Sequence, residues 1–249
     1  MPHHEAFFMI SGTARLHDDS YNNGVEMPDN QSIAKRRGVD PSLDHLPIDF
    51  IAIFVLAPIE QVSPVVSHMP YAMTFIADVY GKTIENTWGV MFQYHGHPWT
   101  ICMVGHTAHM ARKLSQRLQT KSIFFQFEDT GGWFDYQLFQ NGEAIEELSC
   151  DEYIYDDQHK HLVLIPEPYN DDSGGFGLKL DGQWVAMFRS RLRTISAHEL
   201  ARSDLFNTLL LAQDAWMPEE AFIPYPNRQF TAKKLTAADF IRVDALVRT

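Results

Sequence analysis

Twelve histidines stand in this chain, and four of them lie close enough together to suggest metal chemistry. His95 and His97 are two positions apart, His106 and His109 three apart, and Glu128 or Asp129 could complete a ligand set. Zinc takes three or four nitrogen, oxygen or sulfur ligands on rigid supports, and a catalytic site leaves one position open. On this reading the protein is a metal-dependent hydrolase with Zn as its cofactor. The geometry favours His106 and His109, because positions i and i+3 share a face at a helix start. His95 and His97 flank a Gly96 turn that interrupts strand alternation. The spacings match no established zinc pattern such as HExxH. Turn and cap histidines bonded to backbone, with no cofactor, are the plainer reading. His159 and His161, beside Asp157, form a second pair of the same kind.

Other catalytic patterns are weaker. There is no G-x-S-x-G nucleophile elbow, and Cys102 falls in an expected strand, where it reads as a small apolar core residue. Thr130-Gly131-Gly132 and Ser173-Gly174-Gly175-Phe176-Gly177 lack the phosphate-loop lysine and the dinucleotide fingerprint, and carboxylates surround them. Adjacent carboxylates are numerous: Glu146 and Glu147, Asp151 and Glu152, Asp156 and Asp157, Asp171 and Asp172. Two that converge in a cleft could do acid–base work. Their abundance equally suits a solvated face.

Charge distribution is the most unusual feature. The formal net charge is −12, and Glu128 to Asp172 holds thirteen carboxylates against the single lysine Lys160, so the rest of the chain is close to neutral. Nucleic-acid binding needs a basic footprint, which this chain lacks. Within the block, Asp151, Glu152, Tyr153, Tyr155, Asp156 and Asp157 interleave aromatic and acidic side chains, and Asp171 and Asp172 follow. Aromatics give contact area, and carboxylates steer a basic partner. These eight residues are therefore the expected partner-binding surface of a non-enzymatic protein-binding module. By analogy of function it would act as an inhibitor or immunity protein does against a basic nuclease. The competing explanation is internal: Arg189, Arg191 and Arg193 alternate along one strand face and could neutralise some of the acids within the fold.

These residues need elements to position them. A chain of 249 residues with 45% hydrophobic and 21% charged residues can bury a full core. The two cysteines form no ligand or disulfide pattern. No leader is evident, and the longest apolar stretch, Ile48 to Ile59, falls short of a membrane span. A cytoplasmic protein that does not bind membranes is expected. Residues 1–46 carry no sustained period and read as a poorly ordered tail. Residues 47–249 read as one α+β domain.

Ile48 to Leu56 has the β-branched and aromatic content of a central strand. Pro58 suits a helix start, and Pro64 should break that helix early. Ala72, Phe75, Ile76 and Val79 show helical spacing, with Gly81 as a stop. Val90 to Tyr94 and Trp99 to Met103 alternate as strands about a Gly96 turn. Thr107 caps a helix carrying Met110, Leu114 and Leu118, and Ser122 to Phe127 is a further strand. This order predicts a ferredoxin-like βαββαβ core over 47–128, an antiparallel sheet with two helices on one face. An acidic β extension over 129–195 follows, with a hairpin turning at Asn141-Gly142. A helical C-terminal part over 196–249 ends the domain, with a Ser196/Glu199 capping box and a last helix bearing Phe240, Val243 and Val247.

Overall fold

The computed structural model describes residues 50–69, 73–79, 82, 84, 87–104, 107–128, 133–151, 167–170, 176–180, 183–200, 205–216 and 240–248. The expected tail over 1–46 lies outside them.

In chain order the strands are β1 (Phe50–Val55), β2 (Met73–Ile76), β3 (Thr87–Tyr94), β4 (Thr100–Met103), β5 (Lys121–Glu128) and β6 (Trp133–Gln140). They continue as β7 (Glu143–Asp151), β8 (Glu167–Asn170), β9 (Phe176–Leu180), β10 (Gln183–Ser190) and β11 (Phe240–Arg248). The helices are α1 (Ile59–Ser67), α2 (Ala108–Leu118), α3 (Ala197–Leu200) and α4 (Leu205–Leu211). All eleven strands join one antiparallel sheet in the order β2-β11-β3-β4-β1-β5-β6-β7-β10-β9-β8.

This architecture overturns the ferredoxin-like expectation. Residues 47–128 do not close a small sheet of their own. β3, which would have been its edge, is paired along its length by β11 from the far end of the chain. The segment with helical spacing around Phe75 is instead β2, on the sheet's outer edge beside β11. Its residues Met73-Thr74-Phe75-Ile76 are β-formers, and the strand partner that decides the matter lies some 170 positions away.

The expected last helix is also a strand, β11. A register shift between Phe240 and Arg242 inserts one extra residue, so Phe240 and Val243, three apart, both face the same core. A bulge thus reproduces the helical spacing that the sequence shows. Pro64 does not end α1, which runs to Ser67. Glu60, whose carbonyl loses its helical donor, is exposed to water.

The central strands are buried on both faces. One face carries Phe54, Phe92, Tyr94, Trp99, Ile101, Phe125, Tyr136 and Val243 and packs against Leu200, Leu205, Leu209 and Trp216 from the α3–α4 region. The other carries Ile53, Val55, Met91, Cys102, Phe124 and Leu246 and packs against Ile59, Val62 and Val66 of α1 and Met110, Ala111 and Leu114 of α2. Cys102 lies fully inside, and burial pushes its thiol well above the ordinary value, so it is an inert core residue. Among the described residues no helix is long and apolar enough to cross a membrane.

Buried polar groups fasten the helices to the sheet. Gln93 accepts the Ile59 N–H at 3.1 Å, and Ser122 Oγ donates to the Ala111 carbonyl at 2.7 Å. Asp244, fully buried on β11, accepts from Ser63 Oγ of α1 at 2.6 Å and from the Asp78 N–H at 2.9 Å. Its oxygens also take two bonds from Arg242, at 2.6 and 2.7 Å. The Ser196/Glu199 box forms as expected, with Ser196 N–H to Glu199 at 2.7 Å and Glu199 N–H to Ser196 Oγ at 3.2 Å.

The Asn141-Gly142 turn sets the register of β6 against β7. Both residues have positive φ, 53° and 87°. A Cβ on Gly142 would stand 2.8 Å from Gln116 Cβ, whereas one on Gly96, with φ of 77°, meets nothing within 4 Å. Gly142→Ala should therefore cost about 1–3 kcal/mol and Gly96→Ala about 1 kcal/mol, read from urea unfolding midpoints. Equal losses would contradict this placement of α2 on the turn.

Candidate functional site

Strand pairing decides where the acid-rich segment goes. Glu128 lies opposite Trp133, and Trp133 opposite Asp151, so β5, β6 and β7 share one end. Leu180 faces Gln183 and Glu167 faces Lys179 at that same end of β9, β10 and β8. The backbone thus brings Glu128, Asp151 and Glu167 to one rim of the sheet, together with Phe50, where β1 begins opposite Phe127. Asn170 pairs with Phe176 three residues further down β8. Of the expected partner-binding residues, Asp151 is the last residue of β7. Glu152, Tyr153, Tyr155, Asp156, Asp157, Asp171 and Asp172 lie outside the described residues.

At the opposite end of β7 the acids are matched. Arg191 approaches Glu143 at 3.1 Å, both exposed, and Arg189 approaches Glu147 at 4.0 Å. Arg193 reaches Glu146 at 2.9 Å, and this carboxylate has no exposed side-chain surface. A buried charge is tolerated only when paired and hydrogen-bonded. Glu146 accordingly also accepts from Tyr136 OH at 3.2 Å and Ser190 Oγ at 2.8 Å. Burial, then the adjacent Glu146 charge, hold the Tyr136 phenol well above its ordinary value. The internal-neutralisation reading therefore holds for Glu143, Glu146 and Glu147.

Between these two ends is a polar face. Gln126, Asp135, Ser149 and Met187 stand side by side across β5, β6, β7 and β10, and Gln137, Glu147 and Arg189 form the next row. Asp135 accepts from Gln137 Nε2 at 3.1 and 3.4 Å. Partial burial pushes its carboxyl up to about 6; the Gln137 bond acts against this, and the Glu147 charge adds to it. A carboxylic acid that titrates near neutrality can exchange protons at physiological pH. The sequence shows Asp135 and Gln137 only as the polar half of an alternating strand. Their proximity to Glu147 depends on the β6–β7 register.

Of the four histidines considered as metal ligands, His97 takes a structural place. His95 and His109 are exposed, and His106 lies outside the described residues. His97 is buried, with Nδ1 2.9 Å from the Trp99 carbonyl and Nε2 accepting the Trp216 N–H at 3.4 Å. Both ring nitrogens are engaged, which fixes a neutral tautomer with the proton on Nδ1. Its ring lies 4.2 Å from that of Trp216, so the residue ties the β3–β4 turn to the chain following α4. Among the described residues no group of three His, Cys, Asp or Glu side chains could hold a metal ion.

Two outcomes test this geometry. Asp135 has a folded value above its unfolded one, so its charged form is penalised in the fold at pH above about 6. The penalty is relieved as pH falls from 6 towards 3.8 and the folded state takes up the proton first. In about 0.5 M salt, Asp135→Asn should raise the melting temperature at pH 7.5, with the gain shrinking below pH 6 and gone by about pH 4. A gain independent of pH would contradict it. Arg193→Met should cost about 3 kcal/mol by stranding the Glu146 charge, and adding Glu146→Gln should recover most of the loss in urea unfolding. An undiminished loss in the double variant would show that Arg193 acts by packing alone. Compared with protein-family models, with curated proteins and with solved structures, the chain matches none of them.

Proposed function

We propose that the protein is a binding module that presents the acidic rim of its sheet to a basic protein. The observation that carries this reading is the sorting of charge along β7. Arg189, Arg191 and Arg193 are committed to Glu147, Glu143 and Glu146 at one end. The backbone register gathers Glu128, Asp151 and Glu167 at the other, with Lys179 the one cation registered against them among the described residues. Between Asp151 and Asp172 the sequence supplies seven carboxylates and one lysine, and this segment starts from that rim. A one-signed patch raises the encounter rate with an oppositely charged partner and rejects partners of like charge. The aromatics Tyr153 and Tyr155 in the same segment suit the contact core of such an interface.

The test is spatial. An oligolysine peptide serves as the basic probe, titrated by calorimetry at 50 and 300 mM salt. Glu128→Lys with Asp151→Lys should weaken binding about ten-fold or more at low salt, and the wild-type affinity should fall steeply as salt rises. Glu143→Lys with Arg191→Glu, at the matched end, should leave the affinity within about two-fold. Equal effects from both ends, or binding indifferent to salt, would remove the reading.

A further inference from the structure

We propose that the polar face of β6 and β7 is a docking site for a segment of this same chain, the basic run Lys35-Arg36-Arg37. This rests on a different surface from the rim and stands whether or not the rim binds a partner.

The face itself is the first support. Helix α2 packs with Phe124, Phe139 and Ala144, and its Gln116 lies against the Gly142 turn. Helices α3 and α4 lie on the opposite side of the sheet, with Leu200, Leu205 and Leu209. Among the described residues, therefore, no helix covers Asp135, Gln137, Glu147 and Ser149. Asp135 has Gln137 as its hydrogen-bond partner and Glu147 as a like-charged neighbour, while Arg189 stands 4.0 Å from Glu147. Among the described residues the patch carries two carboxylates against one guanidinium, which suits a cationic occupant.

The occupant follows from charge, spacing and tether. Lys35-Arg36-Arg37 is the only run of three consecutive cationic residues in the sequence. In an extended segment, residues i and i+2 point the same way about 7 Å apart. Asp135 and Glu147 are diagonal neighbours, because Asp135 lies opposite Ser149 and Gln137 opposite Glu147. Diagonal neighbours on paired strands stand about 7–8 Å apart. Lys35 and Arg37 therefore match the two carboxylates in both charge and spacing, and an arginine can take a carboxylate by two hydrogen bonds. The chain enters the sheet at Phe50, and Ile51, Gln126 and Asp135 are lateral neighbours across β1, β5 and β6. Two strand spacings amount to about 10 Å. Positions 38–49 join Arg37 to Phe50 and reach up to about 40 Å when extended. The tether therefore does not limit docking, and it gives an effective concentration on the order of millimolar.

Zero-length carbodiimide cross-linking of an equal mixture of ¹⁴N- and ¹⁵N-labelled full-length protein tests the proposal, with linked peptides read by mass spectrometry. The expected product joins Lys35 to Asp135 or Glu147 within one molecule, and it is lost in about 0.5 M salt. A second arm compares melting temperatures in a double-mutant cycle at low salt. Lys35→Ala with Arg37→Ala should lower the midpoint in the wild-type background and leave it unchanged in Asp135→Asn with Glu147→Gln. Lys35 linked to no acid of this face, links found only between molecules, or additive effects in the cycle would each overturn the proposal.

Discussion

The constraint on which this structure depends is that its central strands are buried on both faces. Phe54 and Ile53, adjacent in β1, are both fully enclosed, one under the α3–α4 side and the other under α1 and α2. Any polar group in that region has lost water and must find a protein partner, or it costs several times what a made hydrogen bond contributes. Asp244, Gln93, His97 and Ser122 meet this requirement by bonding elements distant in sequence, so the same contacts that satisfy them also fix the helices on the sheet.

The requirement relaxes beyond β5. From β6 to β10 the face continuous with α2 carries Asp135, Gln137, Glu147 and Arg189 beside the apolar Phe139, Ala144 and Met187. The opposite face still buries Tyr136, Leu148 and Phe188, and Glu146 among them needs Arg193, Tyr136 and Ser190 at once. A single strand, β7, thus holds a fully buried carboxylate, a half-buried one and, at its end, the start of the acid-rich segment. Arg193, beyond the end of β10, serves the first, and Arg189, within β10, serves the second.

Much of the local structure was legible in the sequence. The strand at Ile48–Leu56, the Gly96 and Asn141-Gly142 turns, α2 with Met110 and Leu114 inward, the Ser196/Glu199 box and the core position of Cys102 all follow from short-range chemistry. The fold class did not follow, because two short segments depend on each other across most of the chain. Neither Met73–Ile76 nor Phe240–Arg248 is settled by its own residues: the β-formers of one sit in a segment with helical spacing, and the other acquires such spacing from a bulge. The candidate site was half legible. Composition exposes the acid block and names the arginines that could answer it. Which acids are answered depends on the β7–β10 register, and the raised pKa of Asp135 depends first on its burial in the folded sheet and then on the cross-strand Glu147, neither of which spacing reveals.

The proposed reading requires charge to be sorted along the strands, with ion-paired acids at the Glu143–Arg191 end and an excess of negative potential at the Glu128–Asp151 end. Residue-by-residue near-surface potentials test it most directly, from the ratio of amide relaxation caused by a cationic and by an anionic nitroxide cosolute. The account predicts strong preference for the cationic probe at the amides of Glu128, Trp133, Asp151 and Glu167, and a ratio near one at Glu143 and Arg191. The same ratio at both ends, or a preference confined to the Glu143 end, would contradict it.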